Sequence, residues 1–123
     1  MDLAECADRA RVVRDLYDEL NARDRGRTWT REEFALGFVG DVGDLAKLVM
    51  AAEGAREVPG GRAALGHELA DCLWSVLTLA EKYDVDLAAE FARTMDDLET
   101  GLRGRLAGPG YSTDDRDTPA GGR

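Results

Sequence analysis

The chain is poor in histidine, cysteine and proline, and each shortage excludes something. Its single histidine, His67, directly precedes Glu68, so the Glu-x-x-His pairs on which a di-iron carboxylate bundle depends are missing. The two cysteines, Cys6 and Cys72, lie far apart without CxxC spacing. Both fall in predicted helices, which predicts buried thiols of a cytosolic protein in place of a disulfide. No apolar run approaches the length of a bilayer span. Met1 is followed at once by the acidic, polar DLAECADRAR, so no signal peptide is expected and the cytoplasm is the expected location. Positive charge is also short: 16 Lys and Arg stand against 25 Asp and Glu, a net charge of −9. That balance argues against a nucleic-acid backbone or an anionic membrane as partner. A small anionic substrate is compatible with it only if metal ions screen the charge.

What remains is helical periodicity, with no strand pattern anywhere. Leu3, Ala7, Ala10, Val13, Leu16, Tyr17 and Leu20 predict a first helix from about Leu3 to Arg23. Thr30-Arg31-Glu32-Glu33 has the form of a capping box and predicts a second helix running to about Glu53. A third occupies roughly Arg62 to Tyr83. Asp86 then caps a fourth, with Leu87, Phe91, Met95, Leu98 and Leu102 on one face. The three prolines (Pro59, Pro109 and Pro119) all lie between or beyond these segments. At 123 residues this is one domain, all-α and bundle-like, over about residues 1–107. Residues 108–123, GPGYSTDDRDTPAGGR, form a polar tail expected to be disordered.

Within the two middle helices lie two acidic pairs, Asp41-x-x-Asp44 and Glu68-x-x-Asp71. A spacing of three places both members of a pair on one side of a helix. On a helical wheel Asp41 falls inside the apolar face of the second helix, made by Phe34, Phe38, Val42, Leu45, Leu48, Val49 and Ala52, with Asp44 at its edge. On the third helix Glu68, Asp71 and Ser75 line the border of a face made by Leu65, Leu69, Cys72, Leu73, Val76, Leu79 and Ala80. Carboxylates bordering a core repel one another and resist losing water, unless a cation joins them. Antiparallel packing would let the two acidic stripes meet in a cleft. Such a set points to a hard divalent metal with oxygen ligands, which in an enzyme usually means phosphate chemistry. The plainer alternative is that these are boundary acids paired with Lys or Arg.

Other residues carry two readings each. Gly37, Gly40 and Gly43 bare a strip of backbone that makes room either for a ligand or for another helix. Trp29 can stack on a base or staple the start of the second helix. Trp74, on the opposite side of the third helix from its apolar face, predicts a second buried surface such as a subunit interface. His67 points away from that face, and no chemistry is assigned to it.

The segments GFVGDVGDLAKL and HELADCLWSVLTLAEKYDVDL resemble the MazG-like branch of the all-α nucleotide pyrophosphohydrolases, whose pattern is Glu-Glu-x-x-Glu followed by Glu-x-x-Asp. The resemblance covers roughly Trp29 to Leu98. Asp41 and Asp44 stand where that family usually has glutamates, and Gly40 replaces the leading glutamate. Where many relatives carry Lys-Met-x-x-Asn, this chain has Thr94-Met95-Asp96-Asp97-Leu98. The resemblance implies a MazG-type four-helix fold assembled as a homodimer or homotetramer, with Mg²⁺ (or Mn²⁺ in its place) held by Asp41, Asp44, Glu68 and Asp71. It further implies hydrolysis of a nucleoside triphosphate to the monophosphate and pyrophosphate. Trp29, Lys82 and Arg93 are then the candidates for substrate binding. A catalytically silent relative that binds nucleotide, metal or a partner is the alternative from a different class.

Overall fold

A computed structural model describes residues 1–55 and 57–111. Among them are four α-helices and no strand: α1 (Leu3–Arg25), α2 (Arg31–Ala52), α3 (Gly61–Lys82) and α4 (Leu87–Leu106). The class and the element order agree with the periodicity of the sequence. Residues 112–123, most of the predicted polar tail, lie outside the described residues.

Local chemistry sets the helix ends. Asp2 caps α1 in a capping box with Glu5, and Gly26 closes that helix in the left-handed conformation (φ 71°), its N–H donating to the Ala22 carbonyl. The capping box expected at α2 is present: the Thr30 hydroxyl accepts from the Glu33 N–H at 3.2 Å, and Glu33 accepts from the Thr30 N–H at 3.1 Å. Arg27 clamps the same carboxylate at 2.6 and 3.0 Å. With the guanidinium foremost and the Thr30 N–H next, Glu33 is held down to about 2 from its ordinary 4.5. Between α3 and α4 the chain turns at Asp84 (φ 52°), a residue type that tolerates the left-handed region.

The described chain divides into two units, Met1–Ala88 and the part from Ala89 onward. In the first, α3 packs against both α2 and α1. Three pairings fix the direction of α2 on α3: Lys82 lies over the Phe34 ring at 4.6 Å, Ser75 bonds Asp41, and Asp44 approaches Glu68. As the residue number rises on α2 it falls on α3, so the two helices run antiparallel, as expected. On the other side Glu81 takes Arg11 at 3.0 Å and Arg14 at 2.9 Å, joining α1 to α3.

The buried set is small: Ala10, Phe34, Leu48 and Leu77, with the polar Ser75 and Thr78. Its place on α3 corrects the helical-wheel reading. Leu69 and Leu73, assigned to the inner face, are about half exposed (53% and 45%), whereas Ser75, Leu77 and Thr78 are the buried residues of that helix. The reason is that α3 has two neighbours, and its inner sector is the one that meets both. Of the polar stripe, Ser75 is therefore inside, whereas Glu68 and Asp71 stay partly exposed at the border of that sector. The second buried surface expected at Trp74 is present and lies within the chain. The Trp74 ring packs on Tyr17 (5.7 Å between centroids) and Phe34 (5.9 Å), and its Nε1–H donates to the Ala10 carbonyl at 3.2 Å. Contacts within the chain account for it without a subunit interface.

In the second unit, α4 carries Phe91, Met95, Leu98 and Leu102 along one stripe, and no residue of this helix is buried. Pairs at i,i+3 and i,i+4, Glu90 with Arg93 and Glu99 with Arg103, occupy its polar side. No helix among the described residues is long and apolar enough to cross a membrane.

Candidate metal centre

The antiparallel register of α2 and α3 brings three of the four acids together. Asp41, Asp44 and Glu68 each offer a carboxylate oxygen, and these oxygens all lie within 4.8 Å of one another. Asp71 does not belong to this group. It faces His67, whose Nε2 lies 3.2 Å from Asp71 Oδ2 one helical turn away.

Among the described residues no cation neutralises the group as a whole. Lys47 reaches only Asp44, at 3.9 Å between two exposed side chains, and such a pair contributes little. Asp41 accepts a long hydrogen bond of 3.5 Å from the Ser75 hydroxyl. Glu68 Oε2 is buried with no hydrogen-bond partner. Loss of water, followed by repulsion from Asp71, Asp44 and Asp41, raises the pKa of Glu68 above its ordinary 4.5. The same surroundings raise the Cys72 thiol: burial first, then Asp41, Glu68 and Asp71. Cys72 and Cys6 are both free thiols.

An orphaned carboxylate oxygen, two further carboxylates in reach and no protein cation between them form a hard, all-oxygen donor set. A divalent ion satisfies such a set, and Asp41, Asp44 and Glu68 are the residues that can hold one. Magnesium keeps several of its waters and needs few protein ligands.

Beside this group opens a cavity of about 670 Å³, within the range of small-molecule sites. Tyr17, Trp29, Phe34 and Trp74 give it aromatic walls, and Asp41 and Asp71 open into it from α2 and α3. Asp41 thus belongs both to the three-acid group and to the cavity. Trp29 meets the Phe34 ring edge-on at 5.6 Å near the start of α2, as the staple reading expects, and its ring also lines the cavity.

Lys82 and Arg93 are placed otherwise. Lys82 lies over the Phe34 ring and does not line the cavity. Arg93 belongs to the unit that begins at Ala89, where it pairs with Glu90. The glycine strip is resolved in part. A Cβ on Gly37 would meet the Trp29 ring at 3.1 Å, whereas Cβ atoms on Gly40 and Gly43 would meet nothing within 4 Å.

Several lining residues were not singled out from the sequence. His67 pairs with Asp71 and lines the cavity, and the i,i+4 spacing to an acid was its available signal. Asn21 and Arg25 extend the Val13–Tyr17 row of α1 into the same wall. Polar residues that continue an apolar row beyond its end were the clue to them.

The fold and site define an all-α protein with a group of three acids that could hold a metal ion beside an aromatic cavity. No protein family matches the chain, and no curated protein or solved structure matches it either.

Proposed function

We propose that this protein is a Mg²⁺-dependent nucleotide pyrophosphohydrolase of the MazG type, converting a (d)NTP to the (d)NMP and pyrophosphate. One observation carries the reading: the orphaned oxygen of Glu68, grouped with Asp41 and Asp44, lies beside a cavity with aromatic walls. A nucleoside polyphosphate is the common metabolite that needs a divalent ion at one end and a π-surface at the other. The chemistry a bound Mg²⁺ supplies is neutralisation of the polyphosphate and a lowered pKa for water. The residues do the rest. Asp41, Asp44 and Glu68 hold the ion, and Trp29 and Trp74 orient the nucleoside. Asp71, outside the group of three and paired with His67, is the carboxylate this reading leaves to accept a proton from the attacking water.

The protein is further read as a homodimer or homotetramer. Leu36 and Val39 on α2 are 71% and 67% exposed, so a second copy has apolar surface to bury. A monomer in analytical ultracentrifugation at micromolar concentration would remove this part of the reading.

The activity is tested by incubating the protein with each common (d)NTP and Mg²⁺ or Mn²⁺ while following pyrophosphate. Release that disappears in Glu68→Gln supports the assignment. One observation favours the silent alternative: Lys82, a candidate to replace the family's lysine that this chain lacks, lies over the Phe34 ring and does not line the cavity. No release with any triphosphate, together with a metal-dependent rise in melting temperature, would make the protein a binding module.

A further inference from the structure

The cavity beside Asp41 has two kinds of wall. The α2 and α3 sides present polar groups already engaged with one another: Ser75 with Asp41 and His67 with Asp71. The indole N–H of Trp74 is bound to the Ala10 carbonyl, so around that ring the wall offers a surface and no donor. The α1 side differs. Asn21 and Arg25, one helical turn apart, both line the cavity, and neither side chain has a hydrogen bond or ion pair among the described residues. Together they offer this side of the lining an amide and a guanidinium with which to recognise an edge.

From this we propose that the cavity takes a nucleobase and that Arg25, assisted by Asn21, selects a 6-oxopurine. The inference rests on the nucleotide reading above and names its substrate class. Arg25 brings only donors, in a planar fork that matches two adjacent acceptors. A 6-oxopurine such as guanine or hypoxanthine presents that pair, O6 and N7, whereas adenine presents N7 beside an amino donor. Among the purines, that adjacent pair separates the 6-oxo from the 6-amino base. The cavity of about 670 Å³ holds a bicyclic base with its sugar. The Tyr17, Trp29 and Trp74 rings supply the flat surface on which such a base stacks. Asp41, shared with the three-acid group, sets the direction from base to phosphates.

The test uses inosine and adenosine, which differ in the functional group at position 6 and carry no phosphate, in buffer containing EDTA. Both tryptophans of the chain line the cavity, so their fluorescence reports binding. Inosine is expected to change it saturably, with an affinity at least about tenfold above that of adenosine. Arg25→Gln should bring the two nucleosides within about twofold of each other while its melting temperature stays that of the wild type. Equal affinity in the wild type, no saturable response to either nucleoside, or a preference that survives in Arg25→Gln overturns the proposal. Because neither metal nor an anhydride is present, failure here leaves the pyrophosphate assay to decide the activity by itself. Loss of that activity would equally leave the base preference standing.

Discussion

Glu68→Gln separates electrostatic cost from function, because it should stabilise the metal-free protein and destabilise the metal-bound one. Without metal, Glu68 Oε2 is buried and unpaired, and its charge faces two carboxylates whose oxygens lie within 4.8 Å. A neutral amide of the same shape removes the repulsion, so the variant melts above the wild type. The gap depends on pH with a definite sign. Glu68 binds its proton more tightly in the native state than in the unfolded chain, so native stability falls as pH rises from the ordinary value of 4.5 through the raised native value. The advantage of the variant therefore opens across that window and is complete above it. Divalent metal reverses the order. At ten times the dissociation constant, binding to the native state alone contributes ~1.4 kcal/mol. For a domain of this size that is a rise of about 5–10 °C in Tm. The variant, left with two carboxylates, should lose most of that rise, whereas Asp71→Asn, outside the group, should keep most of it. The assay is thermal melting at neutral pH, titrated with Mg²⁺ or Mn²⁺ against NaCl of matched ionic strength. A wild type indifferent to both metals, or a metal-free Glu68→Gln that melts below it, would refute the reasoning.

Two further outcomes follow from the helices themselves. Gly40→Ala and Gly43→Ala should each stabilise the protein by up to about 1 kcal/mol, because the helix gains and the new Cβ meets nothing within 4 Å. Destabilisation, or a change in sedimentation, would show that another molecule uses the strip; Gly37→Ala should gain less, since its Cβ crowds Trp29 at 3.1 Å. Glu33, held down to about 2, contributes stability that is present above its ordinary 4.5 and is lost as pH falls toward 2. Melting followed from pH 6 to 2 should therefore fall more steeply in the wild type than in Arg27→Gln, and parallel curves would contradict the assignment.

The helices were legible because their ends are local chemistry. Thr30-x-x-Glu33 formed the capping box its pattern predicts. Asp2-x-x-Glu5 has the same form and does the same work for α1, although the sequence reading passed over it. The acids were legible in kind, since antiparallel packing lets two i,i+3 pairs meet, and α2 and α3 run antiparallel. Which three meet was not legible. That depends on rotation of α3 about its axis, and hydrophobicity misjudged the rotation by following Leu69 and Leu73. Two-sided packing decided it, placing Ser75 and Thr78 inside. The cavity was harder still, because its α1 wall forms only when Trp74 packs on Tyr17 and bonds the Ala10 carbonyl.

The rotation of α3 carries a consequence of its own. With Glu68, Ser75 and Thr78 turned inward and Leu69 and Leu73 outward, this helix inverts the usual placement of polar and apolar groups. Each half of the inversion is unfavourable alone: an unpaired carboxylate oxygen loses its water, and exposed leucines keep theirs. Thr78, 1% exposed with no partner for its Oγ1, shows that the inner side tolerates polar atoms beyond the acids themselves. Exchanging the two faces would bury Leu69 and Leu73 and return Glu68 to water, but it would also expose Leu77, which the present rotation buries. A cation held by Asp41, Asp44 and Glu68 would offset the cost that remains on the inner side, the orphaned Glu68 oxygen.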